Sequence, residues 1–226
     1  SLNRHYWGND QLKRNAFRLN YRYRLDHRDY HPYPLNGYFL QAGLNTYITT
    51  DASVRYAQVT LGLQYFKQLG ASRWYVSSVF SGGYSLSNAQ AYILERAIGY
   101  DNNMLRGYEY IVADGQSFVI FNNTLKFNIL KKRTFTLNWL SFLPKFNKIH
   151  LSIYANAHFD AGYARNKWDY HLNSLSNQWL YAGGLGLDLV TYYDMVIGID
   201  YSVNKQCNHG FFSWKNFFFS IKVPFI

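Results

Sequence analysis

The sequence predicts an all-β chain that forms the wall of a transmembrane antiparallel β-barrel. Three observations carry that expectation. Apolar and polar residues alternate over runs of about ten residues. Aromatic side chains make up 20% of the 226 residues, as 22 Tyr, 17 Phe and 6 Trp. No window holds the ~18 uninterrupted apolar residues of a spanning helix. Tyr and Trp join an apolar body to a polar tip, which suits the boundary between lipid tails and hydrated headgroups. The mean hydropathy of −0.29 is low for a helical membrane protein. It is ordinary for a barrel strand, half of whose residues face water.

The first strand sets Phe17, Leu19, Tyr21, Tyr23 and Leu25 on one face and Arg18, Asn20, Arg22 and Arg24 on the other. A helix would mix these sets, whereas a strand separates them. Next, Tyr38, Leu40, Ala42 and Leu44 oppose Gln41, Gly43 and Asn45. Then Ala57, Val59, Leu61, Leu63 and Tyr65 oppose Gln58, Thr60, Gly62 and Gln64. A fourth, less regular strand is expected at about 72–86. Val119, Phe121, Leu125, Phe127 and Ile129 oppose Thr124, Lys126 and Asn128 in the fifth. The sixth is the clearest: Ile149, Leu151, Ile153, Ala155 and Ala157 against His150, Ser152, Tyr154, Asn156, His158 and Asp160. Tyr181, Leu185, Leu187 and Leu189 mark a seventh, and Ile197, Ile199, Tyr201 and Val203 an eighth. Phe217, Phe219, Ile221, Val223 and Phe225 mark the last. About nine strands of about ten residues match the length that crosses a bilayer at a tilt. Strands of soluble sandwiches run closer to five or six. The alternation is also compatible with a soluble lipocalin-like barrel, which would turn its apolar face inward; strand length and aromatic load favour the membrane.

The connectors alternate between short and long, as barrel turns and loops do. Residues 67–72 and 192–194 are tight, 87–116 is long, and 165–177 is moderately long. Residues 131–147 are long where a short turn is due, and Phe135, Trp139, Leu140 and Phe142 suggest an amphipathic segment at the inner interface. Four prolines and no Ser/Gly-rich run point to one architectural unit, residues 1–226. The single cysteine, Cys207, excludes an internal disulfide. The opening Ser1-Leu2-Asn3-Arg4-His5 has no apolar stretch, so an exported chain of this kind is expected to be mature or a piece of something longer. The net charge of +10 fits a basic lumen and rims facing anionic lipid. Nucleic-acid binding is disfavoured, because the Lys and Arg are scattered through strands rather than clustered.

Several motifs sharpen this reading. Leu105-Arg106-Gly107-Tyr108 lies in the longest loop, with five expected strands after it. Asp26-His27-Arg28-Asp29 precedes Pro34-Leu35-Asn36-Gly37, and Phe159-Asp160-Ala161-Gly162 lies in the clearest strand. Together with the aromatic final strand, these residues resemble the BamA/TamA-like outer-membrane assembly and translocation superfamily, over about residues 15–226. The resemblance implies an Arg-Gly-aromatic loop folded into the lumen and a periplasmic Pro-x-x-Gly turn with an acidic/basic pair, here Asp26, Arg28, Pro34 and Gly37. It also implies a C-terminal assembly signal at Phe219, Ile221, Val223 and Phe225. The barrel it implies has about sixteen strands, within the even-numbered range of such proteins. This chain would then be the C-terminal part, with the opening strands and periplasmic domains upstream. One departure is Lys126, where the family often carries an inward glutamate.

A guanidinium in a narrow lumen needs a planar acceptor, and a carboxylate can take two of its donors. Arg106 is therefore expected to pair with Asp160, Gly107 to turn the loop tip, and Tyr108 to pack on the wall. His27, Asp29 and His31 could be drawn as a metal cluster, but their spacing splays in an extended turn, and a turn is expected instead. His158 and Asp160 share a strand face without a specified serine or second acid, and no Gly-x-Ser-x-Gly or phosphate loop occurs. The chain is read as non-enzymatic, without cofactor or metal. The expected function is insertion or translocation of outer-membrane proteins through a lateral seam in the bacterial outer membrane. The partners would be membrane lipid, unfolded outer-membrane clients and periplasmic or lipoprotein subunits. The alternative is a barrel anchor or pore for a fused patatin-like or phosphoesterase passenger.

Overall fold

The computed structural model describes residues 15–50, 55–87, 94–100, 103–136, 148–167, 173–191, 195–206 and 213–222. These form β1 (Ala16–Asp26), β2 (Gly37–Thr49), β3 (Arg55–Gln68), β4 (Trp74–Ser85), β5 (Arg96–Ile98), β6 (Ala113–Asp114), β7 (Ser117–Thr136), β8 (Lys148–Arg165), β9 (Trp179–Val190), β10 (Val196–Asn204) and β11 (Phe217–Lys222). Nine of them make one antiparallel sheet in the order β1-β2-β3-β4-β7-β8-β9-β10-β11, and β5 and β6 pair with each other inside the longest loop. Among the described residues the sheet is not closed: β1 and β11 lie at opposite edges.

Register keeps the faces continuous across the sheet, since a slip by one residue would turn a whole strand over. Leu40 opposes Leu63, Leu63 opposes Phe80, Phe80 opposes Phe121, Phe121 opposes Ala161 and Ala161 opposes Tyr181. The apolar face is the exposed one. Phe17, Leu19, Val59, Leu61, Leu63, Leu125, Leu185, Ile199 and Phe219 are all exposed, whereas Gln58, Ser77, Thr124, Asn128, Ser152, Asn156, His158 and Asp160 are buried. The apolar core lies between the long loop and the sheet: Ala97, Ile98, Leu105, Tyr108 and Ala113 pack against Phe118, Ile120, Ala164, Leu180 and Ala182.

Some expectations are corrected. The fourth strand is shorter than 72–86, because Leu69–Trp74 closes a turn through a 2.9 Å bond from Leu69 N–H to Trp74 O and a 3.1 Å bond from Trp74 N–H to Ser72 Oγ. The expected interfacial segment does not begin at 131: β7 runs through Phe135 to Thr136, paired with β8 past register shifts after Asn128 and Leu130. Trp139, Leu140 and Phe142 lie outside the described residues. So do Val223 and Phe225, while Phe219 and Ile221 stand exposed on β11.

Candidate functional site

The loop between β4 and β7 folds onto the polar face. Leu105–Tyr108 is a β-turn closed by a 3.0 Å bond from Tyr108 N–H to Leu105 O. Gly107 sits at its third position with φ 84°, a left-handed conformation that glycine adopts without a Cβ clash. A Cβ there would stand 3.0 Å from that of Ala182 and 3.4 Å from that of Ser202. The turn thus lies directly on β9 and β10.

At the turn's second position, Arg106 meets Asp160 of β8. Nη2 donates to Oδ1 at 2.6 Å and Nε to Oδ2 at 2.7 Å, a two-pronged contact. Asn122 Nδ2 donates to Oδ2 at 2.9 Å, and Arg106 Nη2 also reaches Thr124 Oγ1 at 3.0 Å. Asp160 is 0% exposed and Arg106 24%. Gly162, two residues on, leaves the space into which Ile98 and Leu105 pack; a Cβ would lie 2.9 Å from Ile98 Cδ1. Tyr108 is buried in the loop core, and its hydroxyl donates to Tyr181 O at 3.2 Å and bonds Gln206. Glu109 accepts from Gly107 N–H at 2.9 Å; burial raises its carboxyl above the ordinary range, and that bond partly offsets the rise.

The neighbouring loop clamps this one from above. Gln116 Nε2 donates to Glu95 Oε1 at 2.9 Å and to Asn166 Oδ1 at 3.1 Å, and Asn166 Nδ2 donates to Glu95 Oε2 at 3.0 Å. Asp114 holds Asn173 Nδ2 at 2.8 Å. Glu95, Asp114, Gln116 and Asn166 carry no motif in the sequence, and only their burial distinguishes them from ordinary loop polars.

The opposite end has its own plug. In the β1–β2 turn, Asp26 pairs with Arg28 (Nη2 to Oδ2, 2.6 Å) and with His31 at 3.1 Å. Asp29 accepts from Leu35 N–H at 3.0 Å through Oδ1. Gly37, with φ 105°, closes the turn where a Cβ would stand 2.1 Å from His27 O, and the intermediate-burial Pro34 stiffens its middle. His27 packs on Tyr38 at 5.0 Å. No group of three or more His, Cys, Asp or Glu among the described residues could hold a metal. The turn projects Tyr33 across the polar face to β8 and β9. Its ring lies 4.9 Å from that of Tyr154, its hydroxyl donates to Asp188 Oδ2 at 2.7 Å, and Lys126 Nζ sits 3.8 Å over the ring. Burial and the field of Asp188 push its phenol far up. Since Tyr33 reaches strands on the far side of the sheet, the sheet curls around its polar face. Sequence reasoning missed Tyr33; the available signal was Tyr30-His31-Pro32-Tyr33-Pro34, an aromatic run in a turn that needs only polar residues. Lys126 lies toward this end, with its ammonium over the Tyr33 ring.

His158 Nε2 lies 2.8 Å from Ser202 Oγ, a pairing the sequence did not suggest. Both are buried, and Gly107 covers the serine. Between β1–β4 and the loop is a cavity of about 1020 Å³ lined by both polar and apolar side chains. No family model matches the chain, and no curated protein matches it.

Proposed function

We propose that this chain is the membrane-embedded wall of a bacterial outer-membrane barrel of the assembly or translocation type, with its polar face as the lumen. The observation that carries the reading is the inversion of burial over the middle of the sheet: large apolar side chains are exposed and polar ones of the opposite face are buried, while β1 at the edge is exposed on both faces. Water would penalise that arrangement and a lipid surround would favour it. From Tyr38 to Ile48 the outward face extends about 34 Å at the usual ~3.4 Å rise. A tilt of about 40° reduces that to about 26 Å, close to the ~25 Å apolar band of such barrels. Tyr38, Tyr65 and Trp74 stand near one rim of this band, and Phe159, Trp179 and Tyr181 near the other.

The docked loop favours the assembly reading over a passive pore or passenger anchor. A steady pore needs an open lumen, whereas here Arg106 and Tyr33 each bring a segment across it. The working step would be physical: an unpaired strand edge templates an incoming strand by main-chain hydrogen bonds. Among the described residues β10 and β11 share six register pairs and β9 and β10 nine. Liposomes carrying the protein should raise the folded yield of an unfolded β-barrel client, read by heat-modifiable gel mobility, above that of empty liposomes. Equal yields would remove the assembly reading, and a large steady conductance in planar bilayers would replace it with a pore.

A further inference from the structure

The two halves of the polar face differ in charge and in filling. Over β7–β9 the carboxylates are met by the plugs: Asp160 by Arg106, and Asp188 by Tyr33 with Lys126 beside it. Over β1–β4 the described residues leave a cavity of about 1020 Å³. Arg18, Arg22, Arg24, Arg28 and Arg96 line it, and among the described lining residues the one carboxylate is Asp26, which is engaged by Arg28 and His31. Among the described residues Arg24 donates to the neutral Gln41, at 2.9 Å. Among the described residues Arg18 and Arg22 have no carboxylate partner. Among the described residues Asp160 and Asp188 are each met by a group from a plug, whereas of the cavity's arginines Arg28 alone is met by a carboxylate.

We propose that this cavity is a binding site for a phosphate-bearing oligoanion. Arg18, Arg22 and Arg24 are exposed on one face of one strand and repel each other, and a bound anion relieves that repulsion. Alternate residues on a strand face are about 7 Å apart, which sets Arg22 and Arg24 at about 7 Å and Arg18 about 14 Å beyond Arg22 on the other side. A single phosphate is too small to reach all three, whereas a molecule with several anionic groups can. The guanidinium fork matches phosphate oxygens in pairs, so arginine rather than lysine is the residue expected at such a site. Gln41, Gln58, Gln64 and Asn20 add neutral donors to the same wall. The proposal rests on the reading of the polar face as a lumen.

The test is calorimetric titration of the detergent-folded chain with inorganic tripolyphosphate at low salt, with heat-modifiable mobility as the check on folding. We expect saturable binding that weakens as salt rises. Arg22→Gln with Arg24→Gln should weaken it at least about tenfold, the loss of one or more charge-assisted bonds. Lys215→Gln, on the short helical turn Trp214–Asn216 and not part of the cavity wall, should leave it unchanged. Absence of saturable binding, undiminished binding in the arginine double variant, or equal weakening by Lys215→Gln would overturn the site. Competition by anionic lipid doped into the micelles would identify a lipid headgroup as the phosphate source; absence of competition would identify a soluble one. Both outcomes support the site. A chain that is monodisperse without detergent yet binds tripolyphosphate would sink the lumen reading alone, and a detergent-folded chain that fails to bind would sink the anion site alone.

Discussion

The two ends of the polar face are closed by different chemistry. At the loop end a guanidinium grips a carboxylate with 0% exposure through two directed bonds. At the turn end an aromatic ring packs on Tyr154 under a lysine and donates one hydrogen bond to Asp188. The first closure is steep in geometry and in charge, since an unpaired ion in that setting is expensive. The second spreads its energy over apolar contact and tolerates small shifts. The difference teaches where each plug would fail: the loop by losing one partner, the turn only by losing its ring.

The largest effect is expected from Asp160→Ala, which leaves Arg106 facing the buried wall without an anion. Removal of one partner of a buried pair costs about 3–5 kcal/mol, toward the lower figure here because Arg106 keeps partial contact with water. The urea midpoint of unfolding should fall, and trypsin should cut after Arg106 in the folded protein. Continued protection of Arg106 would show that the loop core, not the ion pair, holds the loop.

Tyr33→Ala should cost about 3 kcal/mol by emptying the space between Tyr154 and Lys126. It should also raise single-channel conductance in a planar bilayer. Tyr33→Phe keeps the ring and loses only the bond to Asp188, at about 1 kcal/mol, with conductance unchanged. Equal effects of the two substitutions would break the contrast between a directional lock and a packing plug.

Gly107→Ala forces a side chain into φ 84° and against Ala182, at a cost of about 1–2 kcal/mol. Tryptic cleavage after Arg106 should increase modestly, well below its level in Asp160→Ala. The smallest effect is that of pH. The docked loop raises the Glu109 carboxyl above its ordinary value of 4.5, so docking binds a proton more tightly. Its contribution is fully present below the ordinary value and is lost as pH rises through the raised one. Tryptic protection, assayed by pulses at each pH, should therefore decline upward from about 4.5, and Glu109→Gln should remove this component of the slope.

Much of the sheet was legible because a period of two needs no tertiary information. The set Phe17, Leu19, Tyr21 against Arg18, Asn20, Arg22 names both a strand and its faces. The approach of Arg106 to Asp160 was accessible for a different reason: Asp188 and Asp200 offer the same chemistry on other polar strand faces, and the choice of Asp160 followed from what the superfamily resemblance of Leu105–Tyr108 and Phe159–Gly162 implies, together with the planar fit of guanidinium to carboxylate. The end of β7 was not legible, because Leu130 to Arg133 pass through a register irregularity where alternation breaks, while backbone pairing with β8 continues. The clamp of Glu95, Gln116 and Asn166 was hidden because these are ordinary loop polars until two loops meet.

By itself the sequence determined that the chain forms antiparallel strands with one apolar and one polar face, since side-chain alternation follows from the backbone alone. It left open which face is enclosed. That depends on the direction in which the sheet curls and on which segments fold onto it, and both are long-range properties. Only the tertiary structure decided that the polar face is covered over β7–β9, that Tyr33 reaches across it, and that the exposed arginines of β1 line a cavity beside it.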